Sequence, residues 1–293
     1  LLRCENDSWF RPVDVCAAPD GSLFIADWYD PGVGGHRMGD VIRGRVYRLA
    51  RTGAGASYRP GSPNLESDAG LREAFSSPNI ARRFLAFQIL KQKLESGDTS
   101  LLRQLAADRD PIVRARALWL IARDPAAGPA AIDAACASES VDERVQAVRV
   151  IAREAAANLL DYPDLLNDGA PMVRRQVMLE LARAESSPKI DNALLDLAEK
   201  FDGSDRFYRE AIGIAFRGRE AWAWDQLTSR LGTDWNDRLA GLAVQLHPPA
   251  VVEVAKWAAY DSLVSTDLRM RALQALDATG LPEAGAEIAR HVH

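Results

Sequence analysis

The sequence is poor in the residues from which most catalytic and metal centres are built. Only three of its 293 residues are cysteine and four are histidine. Cys4, Cys16 and Cys136 are too scattered for a disulfide framework. No Cys-x-x-Cys or Cys-x-x-Cys-His pattern occurs, so neither structural zinc nor covalently attached haem is expected in this chain. Cys16, in a strand-like run with Val13 and Val15, reads as a small buried apolar residue. A glycine-rich phosphate loop, a Ser-His-Asp set and a zinc-binding helix motif are all missing. No stretch approaches the roughly 18 consecutive apolar residues of a membrane span. Positive charge is not in excess either: 36 Lys and Arg stand against 41 Asp and Glu, a net charge of −5, with both signs interspersed. Without a basic face to neutralise phosphates, no nucleic-acid partner is expected. The start at Leu1-Leu2-Arg3 has no initiator methionine or signal pattern, and the end at His291-Val292-His293 falls in a helical pattern. Both ends read as those of an internal or processed piece of a longer polypeptide.

What is present divides near residue 65. Val13–Ala17 and Leu23–Asp27 are short apolar runs joined by the turn signal Pro19-Asp20-Gly21, as expected for two strands and a tight reversal. Arg45–Leu49 alternates polar and apolar residues and predicts a third strand, after a long glycine-rich loop from Trp28 to Gly44. Three strands cannot close a core alone, so this segment, residues 1–51, needs a cover from the following helices or from another domain. Residues 52–68, with Gly53, Gly55, Pro60, Gly61 and Pro63, have linker composition.

From residue 69 to 293 the apolar period becomes helical and the pattern repeats. Pro111–Leu118, Val141–Val148 and Pro171–Met178 match one another, each with an arginine followed three residues later by a small or β-branched residue. With Arg83, Arg209, Arg238 and Arg269 added to Arg114, Arg144 and Arg174, the arginines are spaced by 31, 30, 30, 35, 29 and 31 residues. Each unit predicts a helical hairpin, for example Ser100–Ala107 and Pro111–Ala122, with acidic residues at the start of the second helix and Pro111 or Pro171 in its first turn. Val113, Ala117, Leu120 and Ile121 share one stripe of that helix. A hairpin of this size cannot bury both of its faces, so the expected fold is mostly α: an α-solenoid of about seven hairpins behind a small N-terminal antiparallel β segment.

Two groups of polar residues are candidates for function. Asp27, Asp30, His36 and Asp40 gather around glycines in the loop after the second strand. They read either as turn formers or as ligands for a divalent ion or a cofactor. Arg114, Arg144, Arg174, Arg209, Arg238 and Arg269 each closely follow an aspartate: Asp110, Asp142, Asp168, Asp205, Asp234 and Asp267. This reads as a ladder of charge pairs between neighbouring repeats, or else as a groove for an anionic partner. His247, before Pro248-Pro249, is placed to end a helix. Trp222, Trp224, Trp235 and Trp257 are either core or a partner site, which their exposure decides.

The pattern Pro111-x-Val113-Arg114-x-x-Ala117 behind Asp110 resembles HEAT repeats, an armadillo-like class, in their short phycobilisome-lyase-like form, over residues 70–293. Residues Trp9–Val15, Pro19–His36, Gly39-Asp40 and Gly44–Leu49 resemble the last β-propeller blade of large exported proteins of Planctomycetes and Verrucomicrobia named as membrane-bound dehydrogenases. The resemblance implies a parent protein with a quinoprotein-like propeller, HEAT repeats and a c-type cytochrome, acting on a sugar or alcohol in the periplasm or otherwise outside the cytoplasm. Any quinone and haem c belong to that parent; this chain lacks most of the propeller and the haem motif. Three functions follow as expectations. The first is a non-catalytic scaffold or spacer whose partners are proteins or adjacent domains of the same polypeptide. The second is an independent peptide- or protein-binding module, and the third an enzyme built on the loop from Asp27 to Asp40.

Overall fold

The computed structural model describes residues 4–6, 9–29, 43–53, 61 and 63–292, the side chains of the last two aside. The chain forms two compact units, Leu1–Ala127 and Gly128–His293. It is mostly helical, with fifteen α-helices, one 3-10 helix and three strands among the described residues.

In the first unit, β1 (Pro12–Ala17), β2 (Leu23–Asp27) and β3 (Arg45–Leu49) form an antiparallel sheet in the order β1-β2-β3. Val15 stands opposite Ile25 and Ile25 opposite Tyr47, with an irregularity in β1 between Pro12 and Asp14. The β1–β2 reversal closes on Asp20, whose Oδ1 accepts from the Ser22 N–H at 2.9 Å and the Ser22 hydroxyl at 2.6 Å. Its Oδ2 receives Arg48 at 2.7 Å across the sheet. The Ser22 hydrogen bonds and then Arg48 hold the Asp20 carboxyl down at about 2. Gly21 takes the left-handed backbone (φ 83°) that this reversal needs.

Helices α1 (Asp68–Ser76), α2 (Ile80–Glu95), α3 (Ser100–Ala106) and α4 (Pro111–Ile121) complete the unit. Helix α1 pairs with α2, and α3 with α4. The Asn79 side chain caps α2 through the Ala81 and Arg82 N–H groups and also donates to the carbonyl of buried Ala18, tying the sheet end to a helix start. The boundary between the compact units falls at Ala127, so the sheet lies in the same unit as α1–α4. Val113, Ala117, Leu120 and Ile121 are buried together on α4, the stripe expected from their spacing.

The second unit runs through α5 (Gly128–Cys136), α6 (Val141–Glu154), the 3-10 helix Ala156–Asp161, α7 (Pro163–Leu166), α8 (Pro171–Leu181), α9 (Pro188–Glu199) and α10 (Arg206–Ala215). It continues with α11 (Glu220–Leu231), α12 (Asp237–Leu246), α13 (Val251–Tyr260), α14 (Thr266–Thr279) and α15 (Pro282–Val292). Helix α6 packs on α8, α8 on α10, α10 on α12 and α12 on α14. Local chemistry starts these helices where the sequence suggests: Ser140, Asp205, Asn236 and Ser265 accept from main-chain N–H groups of the first turn, and Pro171 occupies the first turn of α8. Their apolar stripes merge into one core from Val145 to Ala284, with Ala147 and Ala272 fully buried.

Gly203 and Gly218 both hold left-handed backbone, but only Gly203 is also closely approached. A Cβ on Gly203 (φ 92°) would stand 2.6 Å from the Asp237 carbonyl carbon, whereas one on Gly218 (φ 78°) would meet nothing within 4 Å. Gly218→Ala is therefore expected to cost about 1 kcal/mol from the left-handed backbone alone. Gly203→Ala adds the main-chain clash, for a total of about 3 kcal/mol. Urea unfolding midpoints of the two variants check this, and equal losses would show that α12 yields freely at Gly203.

Candidate functional site

Of the four carboxylate and imidazole candidates in the first loop, Asp27 is described; Asp30, His36 and Asp40 lie outside the described residues, as does His293. Asp27 ends β2 and is 4% exposed. Its Oδ1 accepts from the Arg11 N–H at 2.8 Å and the Tyr29 N–H at 3.0 Å, while the Trp28 N–H donates to the Arg11 carbonyl at 3.0 Å. One carboxylate oxygen thus locks the chain entering β1 onto the chain leaving β2. Tyr29 is held with φ 52°, unusual for a side chain of its size. Trp9 meets its ring edge-on at 5.6 Å and the Arg45 guanidinium lies over it at 5.1 Å. Arg45 also donates to the Tyr47 hydroxyl at 3.1 Å. The second carboxylate oxygen of Asp27 is buried without a hydrogen-bond partner, an arrangement with unused acceptor capacity. Among the described residues no group of three or more His, Cys, Asp or Glu side chains could hold a metal ion.

The sheet around this corner carries apolar side chains in solvent. Val13, Val15, Leu23, Val46 and Leu49 are exposed, Val46 by 69%. Cys16, expected to be buried, is exposed, because every residue of β1 from Pro12 to Ala17 faces solvent along an edge strand.

Most of the repeated arginines occupy one recurring position. Arg83, Arg114, Arg144 and Arg174 each stand four residues after a helix N-cap. Each turns its Nη1 back onto the carbonyls five and six residues earlier. Arg114 donates to Asp108 at 2.7 Å and Arg109 at 3.0 Å, Arg144 to Ser138 at 2.8 Å and Glu139 at 3.2 Å, and Arg174 to Asp168 at 2.5 Å and Gly169 at 3.1 Å. Arg83 does the same with Ser77 and Pro78. Two of the aspartates four residues upstream are caps: Asp110 accepts from Ile112 N–H, and Asp205 from Phe207 and Tyr208 N–H. Arg144 does reach into the next repeat, forking onto Asp168 with Nε to Oδ2 at 2.6 Å and Nη2 to Oδ1 at 2.9 Å. Arg209 and Arg269 also lie four residues after their caps, Asp205 and Ser265, and bury their Nε atoms without a partner. Arg238 comes two residues after Asn236, out of phase with the others. The sequence signal for the clamp is the fixed offset from a capping residue, which reads equally well as an acid–arginine pair.

The four C-terminal tryptophans divide. Trp224 is buried in the core, Trp235 is partly buried and donates to the Leu268 carbonyl at 3.0 Å, and Trp222 lies against Phe216 and beneath Arg219. Trp257 is 72% exposed. Burial, with Asp133 and Asp164 nearby, pushes the Cys136 thiol up to about 11, so it is not a thiolate nucleophile at neutral pH. His247 ends α12 in the left-handed conformation (φ 37°), its Nδ1 3.2 Å from the Gln245 carbonyl.

Residues 3–51 match one family model, described as Domain of unknown function (DUF7133). The match takes in the three strands and the Asp27 corner and stops before the first helix. No curated protein matches the chain. No helix among the described residues is long and apolar enough to cross a membrane.

Asp168 provides a test of the Arg144 fork. Burial works to raise its pKa, but the Arg144 hydrogen bonds and the Ala170 N–H outweigh it and the carboxyl is held below its ordinary value. A lowered folded pKa gives stability that is present above the unfolded value of about 3.9 and is lost as pH falls through the folded value. Asp168→Asn should therefore cost about 2–4 kcal/mol at neutral pH, with the gap to the parent chain closing below about pH 4. Urea unfolding from pH 7 down to about pH 3 measures this; a gap that stays constant would mean that the ionised pair is not its source.

Proposed function

We propose that this chain is a non-catalytic scaffold: a strip of a larger β structure joined to a HEAT-type α-solenoid that spaces and presents its neighbours. The exposed apolar surface of the sheet carries this reading. Val13, Val15, Val46 and Leu49 are side chains that a completed sheet packing covers, and among the described residues neither outer strand of the sheet has a further pairing partner. The succession of paired helices, with arginine clamps at Arg83, Arg114, Arg144 and Arg174 spaced near 30 residues, supports the solenoid.

In this reading the parent is an exported propeller, HEAT and cytochrome c protein of the membrane-bound dehydrogenase type, with its quinone and haem held by other segments and a sugar or alcohol as substrate. The contribution of this chain is geometric: stacked hairpins set the distance between the propeller and the cytochrome. A second reading, a protein-binding module in its own right, draws support from Trp257 at 72% and Leu263 at 93% exposure in the second unit, since exposed aromatic and aliphatic anchors are what partner sites use.

Hydrogen exchange separates the two. The scaffold reading expects the amides of β1–β3 to exchange with almost no protection while those of α6, α8, α10 and α12 report the full stability of their unit. Protection of the strands equal to that of α2 and α4 would mean that the sheet is complete as it stands, and would favour the independent module.

A further inference from the structure

The two edges of the sheet are chemically unlike. Along the β1 edge, Pro12 has no N–H to offer, the register breaks between Pro12 and Asp14, and the Val15 N–H is already taken by Asp14 Oδ1 at 2.8 Å. A proline, a bulge and a side-chain cap are devices that close an edge strand to pairing. Strand β3 has none of them, and among the described residues no strand pairs with its outer side.

Charge is divided the same way. Residues 9–29 hold Arg11 against Asp14, Asp20 and Asp27, whereas residues 43–51 hold Arg43, Arg45, Arg48 and Arg51 and no acidic residue. Asp20 answers Arg48 across the sheet, while Arg45 donates to the Tyr47 hydroxyl, lies over the Tyr29 ring and has the Asp27 carboxylate near it, which leaves Arg43 and Arg51 in excess of the acidic residues of the sheet's inner turn and corner. The open edge is therefore the positive one.

We propose that the outer edge of β3 receives a fourth strand supplied by an acidic extended segment. Main-chain hydrogen bonds to β3 give the affinity, and carboxylates set opposite the β3 arginines give the register and the selectivity. A second copy of the chain brings no carboxylate to this edge, since residues 43–51 hold no acidic residue and β1 is closed. The proposal rests on the scaffold reading, in which the sheet belongs to a larger β structure, and names the chemistry of the strand that continues it.

The test adds peptides of about ten residues to the full chain and follows hydrogen exchange at residues 45–49. One peptide alternates glutamate with valine, a second alternates lysine with valine, and a third is the glutamate peptide with its central valine replaced by proline. Slowing of β3 exchange by about tenfold or more with the glutamate peptide alone, fading as salt rises toward about 0.5 M, is the expected result. A chain carrying Arg45→Glu and Arg51→Glu should reverse the preference toward the lysine peptide. No response at β3, a response to the lysine peptide as large as that to the glutamate one, or protection appearing at β1 instead overturns the proposal. A sheet already protected before any peptide is added overturns the scaffold reading itself, so the two failures are told apart.

Discussion

The structure depends on how the first turn of each second helix disposes of its main-chain polar groups. A helix start leaves N–H donors without intrahelical acceptors, and the turn before it leaves carbonyls pointing inward. Here both sets are satisfied from within the same few residues. A capping side chain takes the N–H groups, and an arginine one turn further along reaches back to the carbonyls of the preceding turn, as Asp110 with Arg114 and Ser140 with Arg144 show. The guanidinium suits this position because its fixed fork can span two successive carbonyls, which an ammonium at the end of a flexible stem does not do with the same geometry. At Asp168 the local device also becomes a link between units of the repeat, since its side chain takes Arg144 and its carbonyl takes Arg174.

Much of this was legible in the sequence. The three strands lie at Pro12–Ala17, Leu23–Asp27 and Arg45–Leu49, and the hairpin read at Ser100–Ala107 and Pro111–Ala122 is found as α3 and α4 within a residue at its ends. These elements rest on local signals: alternation, turn residues, caps and proline in a first turn. What was not legible depends on partners that leave no trace in residue type. The carbonyls that hold Arg114 and Arg174 belong to Asp108 and Gly169 among others, and any residue in those places offers the same oxygen. Cys16 is exposed although its neighbours are apolar, because burial of an edge strand is decided by what lies beside it rather than by its own alternation. Trp224 and Trp257 belong to adjacent helix pairs of one unit and differ from buried to exposed for the same reason. Asp27 was legible as a turn former or ligand of a glycine-rich loop, not as the lock between the chain entering β1 and the chain leaving β2. That its two oxygens have different fates is a matter of three-dimensional placement.

The sheet and the helices manage exposed surface in opposite ways. In the helical segments most large apolar residues are drawn inside; some of those left out stand in the first turn of a helix, as Ile112 on α4 and Phe207 on α10 do, Phe207 with Arg175 over its ring, and others lie along α2 and at the end of α13. The sheet leaves valines and leucines bare and puts its one fully buried carboxylate at the corner where β2 ends. A self-contained domain of this size seldom keeps such an arrangement, because apolar surface in water and a buried acceptor without a donor both cost free energy.

The order in which the helices meet has a consequence for how the chain reaches its fold. From α6 to α14 the packed pairs join each helix to its neighbour or next neighbour along the chain. Contact order in this region is low, and the search for native partners is short at every step. Each hairpin can settle on the one before it as soon as its residues emerge from the ribosome, and no part of the second unit has to wait for a distant segment to arrive. The strands of the first unit face a different timetable if their remaining partners are supplied from elsewhere, since their final packing then follows the arrival of those segments rather than the completion of the hairpins.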